Sequence, residues 1–276
     1  MNKPREWKLA QIQMPVLENP VDSFQLAARL AQQAVESGAD LIALPEMFAC
    51  PYDTKNFPVY AEPEGGPLMN ACSELAAKLG VYLSAGTMPE RDAQGRVYNT
   101  AYVFDRVGHK IAKHRKAHLF DIDIKGGQYF KESDTLSAGD TFTVFETEFG
   151  CFGLCICYDF RFPELVRSMA LAGAECILVP AAFNLTTGPA HWELMFRSQS
   201  MYNQVFACGT APARQNTGGY VSWGHSIVTD PWGSVITQLD ETEGIGLTCI
   251  NLERVAEVRA QLPLLRQRRP DIYTIK

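Results

Sequence analysis

No apolar run in this 276-residue chain approaches the ~18 residues that a membrane-spanning helix needs, so no membrane partner is expected. Residues 1–8 carry cations but no apolar segment follows them, so no secretory leader is expected. Eight cysteines are too sparse for a disulfide scaffold, and no CxxC or Cys/His metal spacing occurs. The thiols are therefore expected to be reduced and the protein cytoplasmic, with no metal and no cofactor. Positive charge is also scarce. With 25 Lys and Arg against 31 Asp and Glu, the net charge is −6. That excludes a broad electrostatic grip on nucleic acid or anionic lipid, and an anionic ligand must find its cation locally. Repeats and Ser/Gly/Pro-rich linkers are missing, and the 21 Gly and 16 Pro sit near background, which rules out a disordered or collagen-like chain. A single domain over residues 1–276 is the expectation, long enough to bury a large core.

What is present alternates strand and helix signals. Residues 7–13 read as a strand. Phe24, Ala27, Leu30, Ala31, Ala34 and Val35 make one apolar face of a helix over 22–37, which Gly38 stops. Leu41-Ile42-Ala43-Leu44, ended by Pro45, reads as a strand buried on both faces. A helix fits 67–79, opened by Pro67 and closed by Gly80. Residues 81–86 and 97–104 are β-rich around the turn Asp92-Ala93-Gln94-Gly95. Residues 105–140 are polar, contain Gly126-Gly127 and Gly139, and read as an irregular surface segment with one short strand. Beyond it, strands are expected at 141–147, 151–157, 175–180, 204–211, 225–230 and 245–250, and helices at 163–172, 190–202 and 252–261. The result is a layered α/β fold with mixed pairing, because several adjacent strands are joined by turns too short for a parallel crossover.

Three segments carry chemistry. Cys157 ends the run Cys151-Phe152-Gly153-Leu154-Cys155-Ile156-Cys157, where a strand gives way to a loop and Pro163 marks a new helix. Ligands of α/β sheets collect at such strand ends, and a thiol near a helix start or a cation becomes a nucleophile. The same position suits a buried inert cysteine, and Cys151, Cys155 and Cys157 match no familiar metal-ligand set. Glu46 follows Leu44-Pro45 at the end of a buried strand; a carboxylate there is paired, caps a helix or acts as a base. Lys116 lies in the basic stretch Lys110-Ile111-Ala112-Lys113-His114-Arg115-Lys116, which reads as a solvated face until the apolar Leu119-Phe120 turns the segment inward. Glu132, in Phe130-Lys131-Glu132-Ser133, reads from spacing alone as an exposed loop residue. A thiolate nucleophile, a carboxylate proton carrier and a cation facing an oxyanion suffice for amide hydrolysis.

Leu44-Pro45-Glu46-Met47-Phe48, then His114-Arg115-Lys116-Ala117-His118-Leu119-Phe120, then the stretch from Gly153 through Cys157-Tyr158-Asp159-Phe160-Arg161-Phe162-Pro163 to Leu165 resemble, in order and spacing, the nitrilase superfamily of carbon–nitrogen hydrolases. The resemblance runs from about Lys8 to Tyr273. It implies a Glu46–Lys116–Cys157 triad supported by Glu132. It further implies a four-layer α-β-β-α sandwich with mixed sheets, whose protomers pair through outer helices as a homodimer with the tail, about 262–276, at the interface. Within the superfamily, His118-Leu119-Phe120-Asp121-Ile122-Asp123, Phe183-Asn184-Leu185-Thr186-Thr187-Gly188-Pro189-Ala190-His191-Trp192-Glu193-Leu194 and Pro51-Tyr52 look like omega-amidases. These hydrolyse the terminal amide of 2-oxoglutaramate and 2-oxosuccinamate. Deaminated-glutathione amidases share the Thr-Gly-Pro-Ala-His-Trp-Glu run and differ around the other two segments. Another carbon–nitrogen hydrolase, a catalytically silent binding module on the same fold and a redox or metal-binding cysteine protein are the remaining alternatives. Met47 and Cys155 depart from the residues frequent at those positions, cysteine and glycine, and neither touches the triad.

A small anionic amide needs a grip for its carboxylate. Thr186 and Thr187 precede Pro189 at a helix start, where hydroxyls and free N–H groups either bind an anion or serve as an ordinary cap. Tyr52 offers a hydroxyl and Phe183 a wall, while the Tyr158 N–H and Lys116 are placed to hold an oxyanion. Arg161, flanked by Asp159 and Glu164, is expected in an internal ion pair, and His191 and Trp192 are expected to pack or cap.

Overall fold

The computed structural model describes residues 5–123, 129–215 and 219–274. The first half runs β1 (Glu6–Gln13), α1 (Pro20–Glu36), β2 (Leu41–Ala43), the short α2 (Asn56–Tyr60), α3 (Pro67–Leu79), β3 (Tyr82–Arg91), β4 (Val97–Phe104) and β5 (Lys110–Arg115). A small hairpin, β6 (Asp121–Asp123) and β7 (Tyr129–Lys131), follows. The second half runs β8 (Thr143–Glu146), β9 (Cys151–Leu154), α4 (Pro163–Leu171), β10 (Cys176–Pro180), α5 (Gly188–Asn203), β11 (Phe206–Thr210), β12 (Ile227–Thr229) and β13 (Val235–Gln238), before β14 (Gly244–Asn251) and α6 (Glu253–Gln261).

The strands form two six-stranded sheets, ordered β14-β1-β2-β3-β4-β5 and β13-β12-β11-β10-β9-β8. Both are mixed. The central strands β1-β2-β3 and β9-β10-β11 pair in parallel and the flanking ones antiparallel. Side-chain alternation builds the layers. Trp7, Leu9, Leu41 and Ala43 face the second sheet and pack with Phe152 and Leu154, while Ile12, Ile42 and Leu83 face α1 and α3 through Leu30, Ala34 and Leu75. Helices α4 and α5 cover the outer side of the second sheet, with Met169 and Phe196 in its core. The architecture is the four-layer α-β-β-α sandwich.

The elements start and stop for local reasons. Asn19 caps α1 by accepting from the Val21 N–H, and Pro20 opens it, so this helix begins two residues before the start expected at 22. Gly80, at φ +66°, closes α3. The 105–140 segment holds more order than expected: β5 and the β6–β7 hairpin lie within it, while Gly126-Gly127 fall outside the described residues. Two elements escaped the sequence pattern, the single-turn helix α2 and the edge strand β13, whose residues are half exposed throughout.

Candidate active site

The candidate residues sit where strands end. Glu46 follows β2, and Leu44 N–H still donates to Ser84 of β3. Beyond it the loop is pinned to β3 twice, by Thr87 N–H to the Pro45 carbonyl and by Met47 N–H to the Thr87 hydroxyl (2.8 Å). The approach is close enough that a Cβ on Gly86 would lie 2.1 Å from the Pro45 oxygen. Lys116 follows β5 and donates its N–H to Asn99 of β4. Cys157 stands three residues beyond β9, at φ +47°, at the start of a 3-10 turn over Cys157–Arg161. Ala182 lies just past β10. Glu132 opens a second 3-10 turn after β7, tied by its own N–H and by its Oε2 to Phe120.

These groups converge. Lys116 Nζ donates to Glu46 Oε1 (3.0 Å) and Glu132 Oε1 (2.9 Å), and no part of the three side chains reaches solvent. Asn99 Nδ2 donates to Glu46 Oε1 (2.8 Å) and the Ala182 N–H to Glu46 Oε2 (2.8 Å). The Tyr52 hydroxyl donates to Glu132 Oε1 (2.5 Å) and lies 3.2 Å from Glu46 Oε1. Burial opposes the Lys116 charge, but the Glu132 and Glu46 carboxylates outweigh it and hold the ammonium well above the usual lysine range. Burial, only partly offset by Lys116, raises Glu132. The buried Cys157 thiol is pushed up by desolvation and then by the Glu46 charge, against the pull of Lys116 and the Ala182 N–H. A thiol so placed keeps its proton until a base removes it, and Glu46 is the carboxylate that it senses most.

Beside the thiol lies a narrow cavity of about 10 Å³, walled by Phe120, Tyr158, Phe183, Thr187 and Tyr220 and reached by the Arg161 guanidinium. That volume admits about one water, and a second cavity of about 270 Å³, lined by Glu46 and Tyr52, shares Ala182 and Tyr220 with it. A surface groove of about 800 Å³ along His118, Phe142 and Phe162 includes none of the four catalytic candidates.

Of the residues expected from sequence, Glu46, Lys116, Glu132 and Cys157 come together, and Tyr158 and Phe183 line the cavity. Four expectations change. Arg161 forms no ion pair among the described residues. Asp159 is taken up by His114, His118 and backbone N–H groups, so Arg161 instead lies over the Phe183 ring (4.5 Å) and donates to His191 Nδ1 (3.1 Å). The Thr187 hydroxyl donates to Asn184 Oδ1 (3.2 Å), which also accepts the Thr186 and Thr187 N–H groups; neither threonine side chain caps α5, and that hydroxyl has no second proton for a carboxylate. Thr186 is exposed. The Tyr52 hydroxyl serves the two glutamates. Trp192 packs as expected, its indole N–H bonded to the His225 carbonyl (2.6 Å).

Sequence reading missed Asn99, Ala182 and Tyr220. A buried amide inside the largely apolar Val97–Phe104 strand was the available signal for Asn99. Ala182 acts through its backbone N–H, and Tyr220 through a ring 4.6 Å from Tyr52 and a hydroxyl bonded to the Ala182 carbonyl; neither leaves a pattern in the sequence. Among the described residues, no three His, Cys, Asp or Glu side chains gather as a metal ion would require.

Residues 8–260 match the family model of the carbon–nitrogen hydrolases. The omega-amidase NIT2 of Mus musculus is 46% identical over 270 residues, with 98% of each chain covered. The crystal structure of Saccharomyces cerevisiae Nit3, a member of branch 10 of the nitrilase superfamily, superimposes with a TM-score of 0.89 at 36% identity, covering 98% of both chains. The Caenorhabditis elegans NitFhit protein gives a TM-score of 0.92 at 32% identity over 99% of this chain and 67% of its own.

Proposed function

The chain belongs to the carbon–nitrogen hydrolase family, and on that premise we propose that it is an omega-amidase in which Cys157 attacks the terminal amide of a small 2-oxo dicarboxylic acid monoamide. Glu46 takes the thiol proton as the Sγ–C bond forms. Lys116 and the Tyr158 N–H, for which the turn leaves no acceptor among the described residues, hold the oxyanion. Glu46 returns the proton to the departing nitrogen, ammonia leaves, and a thioester remains. Glu46 then deprotonates a water that attacks the thioester carbonyl; the C–Sγ bond breaks, the diacid is released, and the proton on Glu46 returns to the thiolate. Glu132, bonded to Lys116 and Tyr52, fixes the ammonium and the amide pocket. The raised Cys157 thiol fits this sequence, because proton removal is coupled to attack and no resting thiolate is required.

The single observation that carries the substrate class is Arg161. Its guanidinium faces the nucleophile's cavity with no carboxylate partner among the described residues. Burial lowers its proton affinity, so a bound anion relieves a cation that the fold leaves uncompensated. A substrate with an amide at Cys157 and a carboxylate at Arg161 is a short diacid monoamide.

We further propose that protomers pair through α4, α5 and the tail, which present exposed apolar side chains.

The test is ammonia release from 2-oxoglutaramate, with deaminated glutathione alongside and Cys157→Ala as the blank. Arg161→Met is expected to raise KM for 2-oxoglutaramate about 30-fold, the worth of roughly 2 kcal/mol for a charge-assisted pair, with kcat within fivefold. An unchanged KM removes Arg161 from the reading, and preference for deaminated glutathione replaces the substrate.

A further inference from the structure

Asp159 lies two residues beyond the nucleophile and touches no reacting group, yet it is fully buried and both its oxygens are used. Oδ2 accepts from His114 Nε2 (2.9 Å) and the Ile156 N–H (3.1 Å); Oδ1 accepts from His118 Nδ1 (2.8 Å), the His118 N–H (2.8 Å) and the Ala117 N–H (3.2 Å). These five donors come from two places only. His114, Ala117 and His118 bracket Lys116 on both sides, and Ile156 immediately precedes Cys157.

We propose that Asp159 is the positioning residue that locks the lysine-bearing end of β5 to the nucleophile turn. The proposal rests on the triad described above and adds a member that works through its neighbours. The first half of the chain supplies Lys116 and the second supplies Cys157, so their separation is set by whatever bonds the two. Cys157 also occupies a left-handed backbone conformation (φ +47°), which is strained for a non-glycine residue and persists only when its surroundings dictate it. The bond from the Ile156 N–H to Asp159, and the stacking of His118 on Phe162 (3.7 Å between centroids), hold the turn from both ends. Every partner is a donor, so only an acceptor on both oxygens satisfies the site. Burial opposes the Asp159 charge, but hydrogen bonds from the two histidines and the backbone pull the carboxyl well below its ordinary range and keep it an acceptor.

The test is Asp159→Asn, which preserves shape but turns one acceptor into a donor facing donors. Three quantities are read: kcat and KM for 2-oxoglutaramate, the rate of iodoacetamide alkylation at Cys157 followed on its peptide by mass spectrometry, and folding by circular dichroism. The folded variant is expected to lose at least 100-fold in kcat with KM within threefold, and to alkylate at least tenfold more slowly. His118→Phe keeps the stack on Phe162 and removes one donor; it decides the matter if Asp159→Asn does not fold, with kcat expected to fall three- to tenfold and alkylation to slow in parallel. Wild-type alkylation together with kcat within threefold in a folded Asp159→Asn, an effect confined to KM, or an unchanged His118→Phe overturns the proposal. Alkylation does not depend on the substrate. A wrong substrate silences turnover in wild type and variants alike and leaves this readout intact.

Discussion

Lys116 holds its charge where nothing of it reaches solvent, between two carboxylates that are equally buried. Removing one partner of such a cluster is far worse than never having built it, because the remaining charges lose both water and counterion. Lys116→Ala is therefore expected to abolish turnover and also to lower unfolding stability by about 3–5 kcal/mol, read from urea denaturation. The triple variant Lys116→Met, Glu46→Gln and Glu132→Gln should recover much of that stability and none of the activity, which separates the structural role of the ammonium from its chemical one. At this scale the sequence was legible unevenly. Glu46 and Cys157 announce themselves as polar groups at the ends of apolar strands. Glu132 does not, because its partners Lys116, Phe120 and Tyr52 lie 16, 12 and 80 positions away in the chain. Arg161 was visible but misassigned, since adjacency to Asp159 and Glu164 says nothing of where a turn sends each side chain.

The basic stretch that ends in Lys116 is not a solvated face. As β5, it lays Lys113 and Arg115 across β4 onto Glu90 of β3, at 2.8 and 2.5 Å, with the Arg115 guanidinium 3.8 Å above the Tyr98 ring. Strand alternation then turns Ala112 and His114 inward, and Lys116 continues on that side beyond the end of β5. Charge runs conceal such pairings, because the partners sit on a different strand. Burial works against the Glu90 charge, yet hydrogen bonds from Arg115 and Lys113 hold its carboxyl down at about 2. A carboxyl whose folded pKa lies below its unfolded value stabilises fully above about pH 4.5 and loses that contribution as the pH falls towards 2. The contribution is on the order of 2 kcal/mol once solvent around the two cations is allowed for. Glu90→Gln should therefore be less stable than wild type at pH 6, and should lose less stability between pH 6 and pH 3. Denaturant midpoints at the two pH values test this, and parallel shifts in both proteins would show that Glu90 does not carry the acid sensitivity.

Taken whole, the molecule divides its chemistry between two sheets of matching construction. The first carries Glu46 and Lys116, the second Cys157 and Ala182, and the site exists only while the sheets stay docked. The outer faces differ in what they leave uncovered. Leu171 of α4, Leu194 and Tyr202 of α5, and Ile272 and Tyr273 of the tail are exposed, with Leu194 at 66% and Ile272 at 68%. Arg167 of α4 donates to the Tyr202 carbonyl (2.6 Å) and senses Arg268 and Tyr273, which ties α4, the end of α5 and the tail to one another. Exposed apolar side chains on α4, α5 and the tail are what the proposed pairing would bury, and a stable pair needs roughly 800 Å² from each partner. A two-fold pair would also set α4, which follows directly from the nucleophile turn, against its counterpart and stiffen that turn from outside. Sedimentation should then give about 61 kDa, twice the 30.6 kDa chain. Leu194→Glu, placing a charge on an exposed apolar residue of α5 (66% exposed), should shift the protein to the single-chain mass. If pairing steadies the nucleophile turn, the dissociated variant should also lose kcat more than KM. A wild-type protein that sediments as one chain would remove the pairing, and a monomeric Leu194→Glu with undiminished kcat would show that each protomer holds its site unaided.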